Sequence, residues 1–228
     1  MEGLTRGALL AGSYVLGSLP FGLWLVKKWK GVDIRTYGSG NIGSTNVGRI
    51  AGRKGWAIVF TLDVLKGLLP PLAGAALHLA SPWQILAALC AILGHNYSFL
   101  LDFKGGKGIA TSLGALLGIA PKVGLIALGI FGVEMLLLGY VSLGSLLAAL
   151  SLPLLMPIFY PHDNARLAFG LLACVMAFYK HRANIQRLRA GTEPKMRLGG
   201  TQAEKTEQAE EQSASPGTAP PSGKKEQA

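Results

Sequence analysis

The sequence predicts an all-α, polytopic transmembrane helix bundle of about seven spans, with its N-terminus outside and its C-terminus cytoplasmic. Three observations predict it. Half of the 228 residues are hydrophobic and only 15% are charged, with a mean hydropathy of +0.38. Apolar runs of roughly 17 to 25 residues recur, long enough to cross a bilayer as helices. Basic residues gather between the runs, as they do in cytoplasmic loops of membrane proteins. The net charge of +10 therefore reports topology and contact with anionic lipids, and nucleic acid is not an expected partner.

The first run, Leu4 to Val26, follows neither a basic region nor a small-residue cleavage site, so it reads as a retained span. Lys27, Lys28, Lys30, Arg35, Arg49, Arg53 and Lys54 come next and mark a cytoplasmic loop. The second span is Trp56 to Leu79, with Ser81-Pro82 as its outer turn, and the third is Trp83 to Leu101. The stretch Ile109 to Gly139 is too long for one ordinary span and short for two. Parity decides. Lys180, Arg182, Arg187, Arg189, Lys195 and Arg197 make the far end basic and hence cytoplasmic. With later spans at about 141–160 and 165–180, that holds only if 109–139 is two short spans broken near Pro121-Lys122. Residues 1–198 thus form one transmembrane domain. Residues 199–228 turn to Glu, Gln, Lys, Ser, Pro and Gly, cannot bury a core, and read as a disordered cytoplasmic tail.

Within the runs, Asp63 and Lys66 are three residues apart and placed to pair. Glu134 falls in the fifth span, and such groups seldom face lipid. Gly114 and Gly118 have the small-xxx-small spacing of close helix approach. Cys90 and Cys174 lie inside apolar runs and read as packing thiols.

Three polar patches interrupt the runs, all on the predicted cytoplasmic face. "YGSGNIGSTNVGR" supplies Ser39, Gly40, Asn41, Asn46 and Arg49: glycines for close approach, amides and hydroxyls as donors, and one guanidinium. "KGGKG", Lys104, Gly105, Gly106, Lys107 and Gly108, opens directly into a helix carrying Thr111. Glycine amides, two ammonium groups and a helix N-terminus favour phosphate. Leu101 and Gly108 stand where a Walker A loop needs Gly and Ser or Thr, so a simpler phosphate is expected than a nucleoside triphosphate. "HRANIQRLRAGTEPK" places His181 and Asn184 three apart on one helical face beside Arg182 and Arg187. Ser142 and Ser145, in "YVSLGS", start the sixth span. Four scattered histidines and no HExxH offer no metal site, and no cofactor is expected.

Together, "GSGNIGSTNVGR", "GHNYSFLLDFKGGKGIATSLG", "YVSLGS" and "HRANIQRLRAGTE" resemble the PlsY family, the bacterial acylphosphate:glycerol-3-phosphate acyltransferases, over residues of about 10 to 195. The resemblance implies a seven-helix integral protein of the bacterial cytoplasmic membrane with its site facing the cytoplasm. It implies transfer of an acyl chain from acyl phosphate to the 1-hydroxyl of glycerol 3-phosphate, giving lysophosphatidic acid and phosphate. By motif match, Ser39 and Arg49 resemble the functional pair of the first block and Lys104 to Gly108 the glycerol-phosphate loop. Ser145, or less readily Ser142, resembles a site serine. His181 and Asn184 resemble the active-site pair of the last block, with Glu193 a structural acid. Ser44 stands where the family commonly has alanine. No base neighbours Ser39 in sequence, and an acyl phosphate is already activated, so direct transfer without an acyl-enzyme is expected. The rival class, a small-solute transporter or channel, would place its polar groups at mid-membrane in broken helices rather than at one face.

Overall fold

Leu19 and Pro20 divide the first apolar run. The computed structural model describes residues 1–196, and the tail expected to be disordered lies outside the described residues. α1 (Glu2–Ser18) and α2 (Phe21–Lys30) are separate helices, where a single span from Leu4 to Val26 was expected. The reason is Pro20: it has no N–H for the helical ladder and its ring disfavours helical geometry at Leu19. Leu19 is extended (φ −63°, ψ 117°).

Beyond a 3₁₀ turn at Ile34–Thr36, α3 (Ser44–Ala76) leaves helical geometry at Gly52, where φ is 69°. α4 (Ser81–Asn96) runs to a second 3₁₀ turn, Phe99–Leu101. The apolar stretch after it breaks where parity required. α5 (Ile109–Ile119) ends one residue before α6 (Pro121–Leu137), and Ala120 between them is non-helical. α7 (Val141–Phe159), α8 (Asn164–Lys180) and the short α9 (Arg182–Arg189) complete the described chain. Among the described residues, four helical stretches are long and apolar enough to span a membrane: Glu2–Lys30, Ser44–Ala76, Ser81–Leu101 and Val141–Phe159. α5, α6 and α8 are shorter, at 11, 17 and 17 residues. No strand occurs among the described residues.

Small residues let these helices touch. A Cβ on Gly67 would collide with the Thr111 carbonyl, and one on Gly114 with the Val64 carbonyl, so the α3 and α5 backbones meet directly. Gly17 and Gly94 join α1 to α4 in the same way. One apolar core is built from Ile92 of α4, Leu116 of α5, Val123 of α6, Met156 of α7 and Phe169 of α8. A second, from Val26, Ile34, Val47, Val59 and Leu101, lies beneath the glycine-rich ribbon. Leu69, Leu72, Leu150, Leu154 and Val175 point outwards, while Asp63, Lys66 and Glu134 are buried. That inside-out polarity suits hydrocarbon as solvent. Cys90 and Cys174 are free and half-buried.

Candidate active site

Asn46 organises the ribbon. Its amide N–H₂ donates to the carbonyls of Ile34 (3.3 Å), Tyr37 (3.0 Å) and Asn41 (2.9 Å), and its Oδ1 accepts from Ser39 N–H (3.1 Å). With 1% exposure it has nothing left for a ligand. The expectation of substrate contact at Asn46 thus gives way to an internal role: a polar group on the first turn of α3 can close the loop onto its own helix. Gly38 (φ 57°) must be glycine, because a Cβ there would strike Asn46 Oδ1. Asn41 is also turned inwards, its Oδ1 accepting from Gly43 N–H at 2.8 Å. Ser39, Gly40 and Arg49 remain exposed. The Ser39 hydroxyl has no hydrogen-bond partner among the described residues, while its N–H is held by Asn46 Oδ1.

The second patch is clamped to the end of α4. Gly106 N–H donates to the His95 carbonyl (3.0 Å). A Cβ on Gly105 would run into that carbonyl, on Gly106 into His95 Nε2, and on Gly108 into Asn96 Oδ1. The glycines are therefore required on the α4 side of the loop, and the N–H groups of Gly105, Lys107 and Gly108 make no hydrogen bond among the described residues. Gly108, in the left-handed region (φ 77°), starts α5 without any side-chain cap. The N–H groups of that first turn stay open and the helix dipole points at them. Thr111 Oγ1 and Asn96 Oδ1 are buried there without partners. Lys104 is exposed and Lys107 half-buried.

Lys107 ties the loop to the third patch. Its Nζ donates to Asn184 Oδ1 at 2.6 Å, Asn184 Nδ2 donates to Glu193 Oε1 at 2.6 Å, and Arg187 Nε donates to Glu193 Oε2 at 2.7 Å. Burial lowers the Lys107 pKa to about 8, and the charges of Arg187, Arg49 and Lys180 push the same way against Glu193. Burial alone would raise the Glu193 carboxyl. The hydrogen bonds from Asn184 and Arg187, with the Ser142 hydroxyl beside it, outweigh burial and hold it below its usual value. Glu193 is 8% exposed.

His181 is the joint between α8 and α9. Its Nδ1 faces the Ala177 carbonyl at 2.8 Å, so that nitrogen carries the proton and Nε2 keeps its lone pair. Burial, then the charge of Lys107, pulls its pKa to about 4. The two serines of α7 part company. Ser145 Oγ donates into its own helix, to the Val141 carbonyl at 2.6 Å. Ser142 Oγ is buried with no hydrogen bond of ordinary geometry. Against the preference for Ser145 as the site serine, Ser145 turns its hydroxyl back onto its own helix, and Ser142 is the serine beside Glu193.

The structure therefore gathers Arg49, Lys107, Ser142, His181, Asn184, Arg187 and Glu193. It keeps Lys104 and Arg182 at the rim; Arg182 stacks on Tyr179. Lys180, read as a topology marker, belongs with them. Its Nζ donates to the Asn96 carbonyl (2.9 Å) and lies over the Tyr97 ring. Only its place next to His181 could have signalled this. Among the described residues, no group of His, Cys, Asp and Glu has metal-site geometry.

A family model described as glycerol-3-phosphate acyltransferase matches residues 7–191. The chain belongs to that family. Two curated relatives carry the same description. One from Trichlorobacter lovleyi is 46% identical over 188 residues, 82% of this chain and 96% of its own. One from Geotalea daltonii is 45% identical over 185 residues, 81% and 94% of the two chains. A crystal structure described as PlsY (YgiH), an integral membrane glycerol 3-phosphate acyltransferase, in its glycerol 3-phosphate form, superposes with a TM-score of 0.78. It is 38% identical, and the match covers 84% of this chain and 96% of that one. This acyltransferase thus keeps the family's fold around the cluster built above.

Proposed function

We propose that this glycerol-3-phosphate acyltransferase takes its acyl group from acyl phosphate and passes it directly to the 1-hydroxyl of glycerol 3-phosphate. The observation that carries the reading is the charge at the site. Around Lys107 stand Arg49, Lys180 and Arg187 and the carboxylate of Glu193. Four cations and one anion leave +3, enough for two phosphate groups. Lys107 and the open amides of α5 hold one phosphate. Arg49, with Ser39 as a donor, serves the other. Lys104, Gly105, Gly106, Gly108 and Thr111 form the loop floor.

The step is balanced. The hydroxyl oxygen attacks the acyl carbon, the bond from that carbon to the phosphate oxygen breaks, and the proton leaves the hydroxyl. His181, at about 4, is a weak acceptor near neutrality. The leaving phosphate, far more basic than an imidazole held at about 4, is the better one. His181 then serves as a neutral partner through Nε2. No metal or nucleotide takes part.

The acyl chain needs an apolar slot beside this charge. A cleft of about 300 Å³ lined by Tyr140, Leu143, Leu188, Gly191 and Glu193 opens from the site. A groove of about 450 Å³, lined by Gly129, Ile130, Val133, Glu134, Leu137, Leu138 and Leu147, lies between α6 and α7. Leu143 and Leu147, four apart on α7, join the two along one helix face. We count seven spans, with α1 and α2 as one, and read the ribbon, the loop and α9 as facing the cytoplasm from the bacterial inner membrane.

The purified protein should convert acyl phosphate and glycerol 3-phosphate to lysophosphatidic acid without added metal or nucleotide. Turnover with acyl-CoA alone would contradict the donor. Protein quenched with acyl phosphate, without glycerol 3-phosphate, should carry no acyl group; an added acyl mass on the Ser39 peptide would contradict direct transfer. An impermeant thiol reagent should reach Asn41→Cys only from the cytoplasmic side and Ser81→Cys only from outside.

A further inference from the structure

Asp63, Lys66 and His95 are each no more than 4% exposed. None of their side chains bonds to Lys107, Asn184, Arg187 or Glu193. Lys66 Nζ and Asp63 Oδ1 pair at 2.8 Å between α3 residues. Buried ion pairs are costly and seldom earn their place through stability alone. These three have two specific attachments.

The first is the break between α1 and α2. There the helix loses its ladder and frees carbonyls that hydrocarbon cannot satisfy. Lys66 Nζ donates to the Leu19 carbonyl at 3.0 Å and stands 5.5 Å from the Phe21 ring centroid. Ser98 Oγ, just past α4, donates to the Ser18 carbonyl at 2.7 Å. Tyr14 Oη donates to the Tyr97 carbonyl at 2.7 Å. The broken helix is thus fastened to α3 and to the end of α4.

The second attachment is the phosphate loop. His95 stands between the two. Its Nδ1 faces Asp63 Oδ1 at 3.7 Å, beyond hydrogen-bond length, and has no other partner. On the opposite edge, Nε2 occupies the space a Cβ on Gly106 would need. The His95 carbonyl takes the Gly106 N–H. One residue therefore meets the buried carboxylate with one face and sets the height of the loop with the other.

We propose that Asp63, Lys66 and His95 are positioning residues for the 104–108 loop: a buried polar strut from the broken first helix to the loop that fixes where its amides meet phosphate. The proposal rests on the reading of that loop as a glycerol 3-phosphate site. A merely structural pair would set stability. A strut sets the KM for glycerol 3-phosphate.

The test is steady-state kinetics on purified full-length protein, with glycerol 3-phosphate varied and melting temperature measured alongside. Gly106→Ala should raise KM about tenfold or more while kcat stays within about threefold. His95→Ala removes the ring that the new methyl would strike, so His95→Ala/Gly106→Ala should recover at least about threefold of that KM. Asp63→Asn/Lys66→Met removes both charges together, which spares the fold an orphan ion. It should raise KM about threefold or more with little change in melting temperature. If Gly106→Ala leaves KM untouched, the loop is not the phosphate site and the underlying reading fails. If Gly106→Ala raises KM but the double variant is no better, the strut is wrong. A folded Asp63→Asn/Lys66→Met variant with wild-type KM would also overturn it. Should that variant fail to accumulate, His95→Ala alone still decides: a positioning role requires it to raise KM about threefold or more, and a folded His95→Ala with wild-type KM would overturn the strut.

Discussion

Asn184 stands between Lys107 and Glu193, accepting from the ammonium at 2.6 Å and donating to the carboxylate at 2.6 Å. A neutral amide in that place does what a direct ion pair would not. It orients Lys107 from 77 residues away in sequence without cancelling its charge. Glu193 meanwhile is occupied by Asn184 and Arg187 and does not compete with phosphate for the ammonium.

Asn184→Asp should therefore harm more than its small size suggests. It places a carboxylate on Lys107 and a second one against Glu193. We expect kcat/KM to fall by about 10²-fold, near 2.7 kcal/mol. Product assays at fixed expression check this, and a loss of less than threefold would contradict the spacer role.

The pH profile follows from Lys107. Its pKa lies below the ordinary lysine value, at about 8, so the free enzyme loses this charge as pH rises through that point. Bound phosphate favours the charged form and opposes the loss. Hence kcat/KM for glycerol 3-phosphate should fall above about pH 8 while kcat holds to higher pH. Lys107→Arg, always charged, should remove that alkaline limb whatever its absolute rate. A limb that survives in the arginine variant belongs to another group.

Ser142 and Ser145 should separate in an alanine comparison. Ser145 donates only to its own helix, so Ser145→Ala should keep more than about half the activity. Ser142→Ala strips a hydroxyl from beside Glu193 and should cost about tenfold. Equal losses would mean that α7 is oriented differently.

Asn46→Asp tests the ribbon. The substitution keeps the shape, removes the donors to three carbonyls and buries a charge. The Ile34 and Tyr37 carbonyls keep backbone donors in Tyr37 N–H and Gly40 N–H, so the Asn41 carbonyl is the one orphaned, which costs about 1–3 kcal/mol. Both melting temperature and activity should drop, and Asn46→Asp should be no better than Asn46→Ala. A variant that lost substrate affinity alone, at full stability, would return Asn46 to the substrate.

Ser39→Ala should lose about 10²–10³ in rate, the usual effect of one donor to developing charge. Activity at background would instead point to a nucleophile. Rates measured over at least four decades of enzyme concentration distinguish the two.

Much of this architecture was legible from residue patterns, and the exceptions have physical causes. Charge parity located the break between Ile119 and Pro121. The spacing of Asp63 and Lys66 announced their pair. The break at Leu19 was hidden because the apolar run continues across Pro20, and hydropathy carries no backbone information. The polar patches were found as patches, since density of donors is a local property. Which donor faces in was not local. Asn46 turned out to bind its own loop, and Ser142 rather than Ser145 faces Glu193. The glycines of the loop were read as amide donors for phosphate, yet their missing Cβ atoms also make room for α4. Lys180 was taken for a topology marker because the same residue type serves both purposes.

Glu193 also has a consequence for how the protein comes into being. It lies after α9, the last described helix, and it anchors both Asn184 and Arg187. Synthesis runs from the N-terminus, so α1 to α8 can be threaded into the membrane before this carboxylate exists. A nascent chain, or one truncated by a premature stop shortly before residue 193, would be integrated yet hold its cations unclamped. The clamp on these cations is thus completed only after the last described helix has been made.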